Sequence, residues 1–124
     1  MEISRRKDLK GVEVVAISGR VSGAEVPRLI AEFQAIGAGA GPAAPPRIVL
    51  EVSRLDNLPS AVVGSLLEAI RAIEAASGRL VLAGPQNALT VVLDRLGIGT
   101  LVTCFRSVDE AVKALAVPDA SNSQ

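Results

Sequence analysis

Histidine, tryptophan and tyrosine are absent from this 124-residue sequence, which contains one cysteine and two phenylalanines. Without histidine the chain cannot build a Ser-His-acid triad, a Cys-His pair or the usual histidine-containing zinc sites. The scarcity of aromatic side chains also removes the stacking platforms that single-stranded nucleic-acid binders use. Because catalysis depends on site chemistry that these residue types do not supply, we predict a protein that is not an enzyme and needs no cofactor.

The sequence also lacks an excess of charge of either sign and long apolar runs. Thirteen basic and thirteen acidic side chains give a formal net charge of zero. Most nucleic-acid binders carry a basic excess, so nucleic acid is not an expected partner. The opening segment MEISRRK lacks the apolar region of a signal peptide, and no apolar run is long enough to cross a bilayer. We expect a soluble, cytoplasmic protein without membrane insertion.

Apolar residues make up 49% of the chain, and with so few aromatics the core must be aliphatic. A chain of this length can bury such a core as one domain. The single Cys104 cannot form an internal disulfide, which favours a reducing compartment, and we predict that it is buried in a strand. We predict one domain over residues 1–117 and a disordered tail over residues 118–124, which contains nothing to bury.

Strand-like and helix-like segments alternate along the chain. Runs of β-branched residues predict the strands, and apolar residues spaced three and four apart predict the helices. The order predicts an α/β domain: a mixed, mostly parallel sheet of about five strands, opened by an amino-terminal hairpin, with about four helices. The predicted strands are residues 2–7, 11–18, 47–52, 79–83 and 101–105, and the predicted helices run from about 24 to 37, 59 to 78, 87 to 97 and 107 to 117.

The run GAGAGPAAPP, residues 37–46, is similar in composition to a phosphate-binding loop. A dinucleotide fingerprint requires a strand before the glycines and a helix after them. Here a predicted helix precedes the glycines and a predicted strand follows them. The run is therefore interpreted as a linker.

The stretch LDNLPSAVVG, residues 55–64, joins a predicted strand to a predicted helix. Pro59 disfavours helical geometry at the residue before it and suits a first turn, so the helix is predicted to begin at Pro59 or Ser60. Ser60 then lies at the positive end of the helix dipole, where an anion is tolerated. These residues leave two interpretations: Ser60 caps or lines the first turn, or it accepts a phosphate that repels nearby Asp56 and Glu51.

From about residue 12 to residue 116 the chain resembles the STAS domain, which anti-sigma factor antagonists share with the cytoplasmic ends of sulphate transporters. The similar segments are VVAISGRVSGAEVPRLIAEF, RIVLEVSRLDNLPSAVVGSLLEAI, and GRLVLAGPQNALTVVLDRLGI with the following SVDEAV. The resemblance implies a STAS-like fold and a partner-switching regulator. Unmodified, such a protein binds an anti-sigma factor that is also a serine kinase, and phosphorylation releases it.

In the family, the loop usually reads Asp-Ser-Ser-Gly or Asp-Thr-Ser-Gly, and the first hydroxyl residue is phosphorylated. That position falls on Ser60, whereas Pro59, Ala61 and Val62 stand where the family has aspartate, the second serine and glycine. The resemblance implies a docking surface made of this loop, the exposed start of its helix and the neighbouring strand-to-helix loop. Its residues are Ser22, Gly23, Asp56, Asn57, Ser60, Ala61, Val62 and Ser65.

The departures at Pro59 and Val62 motivate an alternative function. In it the chain is a non-switching STAS scaffold, or an accessory subunit of a transporter or signalling assembly. A third hypothesis is a small-ligand sensor that uses the strand-to-helix loops. Its only support is that α/β folds generally bind ligands at these loops. Self-association into a homodimer through the edge of the amino-terminal hairpin is left open.

Overall fold

The computed structural model describes residues 1–7, 11–38, 46–84, 87–97 and 101–115. Within these ranges, two strands are followed by helices and strands in alternation, in the predicted order. The strands are β1 (Glu2–Lys7), β2 (Glu13–Gly19), β3 (Arg47–Leu55), β4 (Arg79–Ala83) and β5 (Cys104–Phe105). The helices are α1 (Val26–Ala38), α2 (Ser60–Ala75), α3 (Asn87–Arg95) and α4 (Val108–Leu115).

The strands form one sheet whose order in space follows the chain, from β1 to β5. β1 pairs antiparallel with β2, and each later pair is parallel. The parallel neighbours are joined by crossovers that contain helices, as parallel pairing requires. The predicted mixed sheet of five strands with four helices and an amino-terminal hairpin is confirmed.

Alternation along the strands divides the core into two layers. Helices α1 and α2 cover one face of the sheet, and the buried cluster there includes Leu29, Phe33, Leu50, Leu66 and Leu82. Helix α4 covers the other face, where a smaller cluster includes Val49, Val81, Ala111, Val112 and Leu115. Among the described residues these layers are almost wholly aliphatic, and Phe33 is the one fully buried aromatic side chain.

Three strands differ from their predicted bounds. β2 spans Glu13–Gly19 instead of residues 11–18. β3 continues to Leu55 and so carries the chain directly to the loop that begins at Asp56. β5 is only two residues long instead of five, and it pairs with β4 alone at the edge of the sheet. The prediction that Cys104 is buried was wrong, because its side chain is exposed on this edge strand, where no further strand covers it in the described part of the chain.

Three predictions concern residues outside the described ranges. They are the linker over most of the glycine-rich run, the end of the last helix near Val117 and the disordered tail over residues 118–124. The domain boundary at residue 117 therefore stays a prediction.

Gly78 follows α2 and packs against Pro46, and we expect Gly78→Ala to destabilise the domain. A Cβ at this position would overlap the Pro46 carbonyl oxygen and lie 2.8 Å from Pro46 Cδ. That carbonyl accepts a hydrogen bond from the N–H of Arg79 at 2.9 Å, so it cannot move without disturbing the start of β4. Overpacking of this kind costs about 1–3 kcal/mol of unfolding free energy, measurable by urea denaturation.

Gly64→Ala is the matched control for the Gly78 prediction. Gly64 lies within α2, and an added Cβ there meets no atom within 4 Å. Alanine in an exposed helix interior is favoured over glycine by about 0.5–1 kcal/mol, so this variant should be slightly more stable than the wild type. Equal effects of the two substitutions would contradict the packing at Gly78.

Candidate functional site at the carboxyl edge of the sheet

Two loops meet where β2 and β3 end. Gly19, the last residue of β2, is paired with Leu55, the last residue of β3. The loops that follow, residues 20–25 and 56–59, lead into α1 and α2. The backbone N–H of Asp56 donates to the Gly19 carbonyl at 3.0 Å, so the loops leave the sheet side by side. In open α/β sheets, ligands and partners bind at edges of this kind.

Ser60 is the first residue of α2, which confirms the helix start predicted from Pro59. Pro59 occupies the N-cap position with φ −59° and ψ 141°, and its carbonyl accepts from the N–H of Val62 at 2.9 Å. No side chain caps this helix end, so Ser60 lines the first turn without capping it. Its side chain is exposed. The other N–H groups of the first turn and the positive end of the dipole face an approaching anion.

The residues predicted for the docking surface differ in exposure. Val62 is 0% exposed, so its placement on the surface was wrong. The period of the helix turns Val62 inward to the layer between α2 and the sheet, while it turns Gly64 outward. Two of the other predicted residues, Asn57 and Ser65, are half-buried. The remaining five are exposed: Ser22, Gly23, Asp56, Ser60 and Ala61.

Glu51 was expected near Ser60, but it lies in the other layer of the domain. Its neighbours in β3, Leu50 and Val52, belong to the cluster under α1 and α2, so the strand's alternation directs Glu51 to the α4 face. There it lines a shallow hollow together with Arg6 and Val108, and it accepts a hydrogen bond from the N–H of Ser53 at 3.2 Å. Only Asp56 of the two predicted carboxylates belongs to the loop before α2.

Asn57 ties the two loops together through its side chain. Its Oδ1 accepts from the backbone N–H of Val21 at 2.8 Å, and its Nδ2 donates to the Val21 carbonyl at 3.0 Å. The two residues are 36 positions apart in the sequence. The amide therefore satisfies both backbone groups of Val21 and fixes the loop after β2 against the loop after β3.

Glu25 shapes the loop after β2. Its carboxylate accepts from the backbone N–H and the hydroxyl of Ser22, each at 3.2 Å, and lies 3.1 Å from the amino group of Met1. The Met1 ammonium group, followed by the Ser22 backbone N–H, lowers the pKa of the Glu25 carboxyl. The charged carboxylate thus holds Ser22 in place in the loop before α1.

The lowered pKa of Glu25 predicts a specific loss of stability in acid. A depressed carboxyl pKa stabilises the fold above the unfolded-state value of about 4.3, and this stabilisation disappears as the pH falls through the folded-state pKa. The variant Glu25→Gln lacks this contribution, so its unfolding free energy should change less with pH than that of the wild type below about pH 5. Urea denaturation of both proteins from neutral to acid pH measures the difference. Parallel curves would contradict the role given to Glu25.

Other reactive chemistry is sparse in the described part of the chain. No group of three or more acidic, cysteine or histidine side chains there could hold a metal ion. Partial desolvation, followed by the charge of Asp94, raises the pKa of the Cys104 thiol, which makes it a poor nucleophile at neutral pH. None of the described helices combines the length and apolar character needed to cross a membrane.

Two contacts of this edge were not predicted from the sequence. The bond between Asn57 and Val21 has no local signal, since it joins residues far apart in the chain. The contact between Ser22 and Glu25 does have one, because a serine followed three residues later by glutamate before an apolar helix has the spacing of a capping box. The Glu25 side chain returns to the Ser22 N–H, as that motif requires.

A protein-family model matches most of the chain, including both loops and the helices that follow them. The model is described as "Mlab, STAS domain", and it matches residues 6–103. The chain belongs to the STAS domain family. The resemblance inferred from the sequence segments is thereby confirmed, and the STAS fold accounts for the five strands and four helices.

Solved structures of other STAS proteins share this fold. An anti-sigma-factor antagonist (STAS) domain protein from Planctomyces limnophilus is 18% identical with a TM-score of 0.76, over 91% of this chain and 97% of that one. The Bacillus cell fate determinant SpoIIAA in its phosphorylated form is 24% identical with a TM-score of 0.64, over 91% and 98%. A sulfate transporter family protein from Wolinella succinogenes is 20% identical with a TM-score of 0.66, over 89% and 88%. No curated protein sequence matches the chain.

Proposed function

We propose that this STAS domain is an anti-sigma factor antagonist that acts by partner switching. Unphosphorylated, it binds an anti-sigma factor of the serine-kinase type in the cytoplasm, and phosphorylation of Ser60 releases it. The observation that carries the proposal is the exposed hydroxyl of Ser60 at a helix start without a side-chain cap, beside two loops that are bonded together. The role is binding of a protein, with no catalysis by the chain itself.

The start of α2 suits a residue that must exist in two charge states. A phosphate on Ser60 adds about −1.5 to −2 charges at neutral pH, and it also adds acceptor oxygens. The first-turn N–H groups and the helix dipole stabilise such an anion, so the fold survives the modification. The exposed surface formed by Ser60, Ala61 and Gly64 is small and uncharged before the modification. After it, a partner packed there faces a desolvated double charge, which opposes binding.

Phosphate transfer by the partner kinase tests this function. The purified chain is incubated with its anti-sigma factor kinase and Mg-ATP, and the product is mapped by mass spectrometry. We expect one phosphate per chain on Ser60 and none on the variant Ser60→Ala. Phosphate on another residue, or none on the wild type in the presence of an active kinase, would contradict the proposal.

The second candidate is a non-switching scaffold or an accessory subunit of a transporter or signalling assembly. The likeness to a sulfate transporter family protein favours it, as do Pro59, Ala61 and Val62 at the positions where the family's loop has other residues. In that case Ser60→Asp would leave the partner bound. Comparing the proteins recovered by pull-down with the wild type and with Ser60→Asp distinguishes the candidates.

A further inference from the structure

We propose that Asn57 is a positioning residue that joins the loops after β2 and β3 into one docking surface, so that a change at Ser60 also reaches Val21 and Ser22. The proposal rests on the proposed partner-binding function of this edge. It reassigns Asn57 from direct contact with the partner to an internal connection within the surface.

The geometry of the Asn57 side chain supports the internal role. One amide group makes both hydrogen bonds to Val21, with its oxygen at 2.8 Å from the Val21 nitrogen and its nitrogen at 3.0 Å from the Val21 oxygen. Asn57 is only half-exposed, and the Val21 side chain is 3% exposed. Each polar atom of the Asn57 side chain therefore already makes one hydrogen bond inside the domain.

The chemistry of the contact requires an amide. Val21 presents one N–H donor and one carbonyl acceptor, and an asparagine side chain has an acceptor oxygen and a donor NH2 group in the same plane. A carboxylate has acceptors only. Asn57→Asp therefore keeps the bond from the Val21 N–H but places a second carboxylate oxygen against the Val21 carbonyl oxygen, where no hydrogen bond can form. Alanine at this position loses both bonds and leaves both Val21 backbone groups without this partner.

The connection from Asn57 to Ser60 is short and anchored. Leu58 is 7% exposed and belongs to the main core cluster, and Pro59 restricts the backbone immediately before the helix. On the other side, Val21 is followed by Ser22, whose N–H and hydroxyl are held by Glu25. A displacement at the start of α2 therefore has a continuous path of bonds to the neighbouring loop.

Hydrogen exchange of the chain alone tests the connection without any partner. In Asn57→Ala, the exchange rate of the Val21 amide should rise about tenfold or more, because its acceptor is removed. Asn57→Asp should preserve most of that protection. Asp56→Ala is the matched control, since Asp56 is the exposed neighbour in the same loop and takes part in this edge through its backbone N–H. It should leave Val21 exchange unchanged.

The coupling itself is tested with Ser60→Asp in two backgrounds. With Asn57 present, Ser60→Asp should change amide exchange and chemical shifts over residues 20–25, and in the Asn57→Ala background this response should be lost. Unchanged Val21 exchange in Asn57→Ala, or the same response in both backgrounds, overturns the proposal.

Binding to the anti-sigma factor kinase separates this inference from the function on which it rests. Asn57→Ala should weaken kinase binding and also lower the exchange protection of the Val21 amide. If Asp56 contacts the partner, Asp56→Ala should weaken kinase binding and leave that protection unchanged. Kinase binding that survives Asn57→Ala at full strength, while Val21 protection is lost, overturns the positioning role but not the proposed function. If the wild type fails to bind the kinase, the proposed function fails, and the exchange results still decide whether the loops are coupled.

Discussion

The variant Ser60→Asp is expected to bind the anti-sigma factor kinase about 100-fold more weakly than the wild type, since a charge buried against a partner without a counterion costs several kcal/mol. Its effect on the domain alone should have the opposite sign. A carboxylate in the first turn interacts favourably with the helix dipole by about 0.3–1 kcal/mol, so the unfolding free energy should stay equal or rise slightly. Titration calorimetry and urea denaturation of one preparation measure both quantities.

Two controls separate a local charge effect from a general one. Ser107→Asp makes the same substitution at the start of α4, where the Ser107 hydroxyl accepts from the Glu110 N–H at 3.2 Å, and it should leave kinase binding unchanged. Ser60→Ala should bind as the wild type does and stay bound when Mg-ATP is added. Weaker binding by Ser107→Asp, or undiminished binding by Ser60→Asp, would contradict a switch at Ser60.

The second large effect is expected at Phe33, in the layer between the sheet and helices α1 and α2. Phe33 is 1% exposed and is the largest of the fully buried side chains described. Its truncation removes most of its buried surface and leaves a cavity, which costs about 3–5 kcal/mol of unfolding free energy. Because small domains unfold with only about 5–15 kcal/mol, Phe33→Ala should lower the urea midpoint severely.

Phe105→Ala is the matched control for Phe33, since it makes the same change at the only other phenylalanine. Phe105 is half-buried and packs at the margin of the smaller cluster under α4. Its truncation should cost less than half as much, because solvent already reaches the ring. Similar losses for the two variants would show that the layer under α1 and α2 does not dominate the stability of this domain.

The parts of the site that depend on nearby residues could be predicted from the sequence. Pro59 predicted that α2 begins at Pro59 or Ser60, because its ring restricts both its own backbone and that of the residue before it, and the helix begins at Ser60. The exposure of Ser60 and Ala61 follows from the helical period, which places both residues on the side of α2 that faces away from the core. The antiparallel pairing of β1 with β2 was likewise predictable, because the two strands are consecutive in the chain.

The parts that failed depend on which elements pack together in space. Val62 was placed on the surface because it stands at the position of the family's glycine, but the helical period turns its side chain into the core. Glu51 was placed near Ser60 by its distance in sequence, although strand alternation sends it to the opposite layer. Cys104 was predicted to be buried because its segment is apolar, and the shortness of β5 leaves it exposed.

Partner switching at Ser60 is tested most directly by the affinity of the anti-sigma factor kinase for the chain in two chemical forms. One form is unmodified and the other is fully phosphorylated on Ser60, verified by mass spectrometry, and both are titrated under conditions without ATP. We expect tight binding of the unmodified form and a loss of about 100-fold or more in affinity on phosphorylation. Equal affinities for the two forms would contradict partner switching at Ser60.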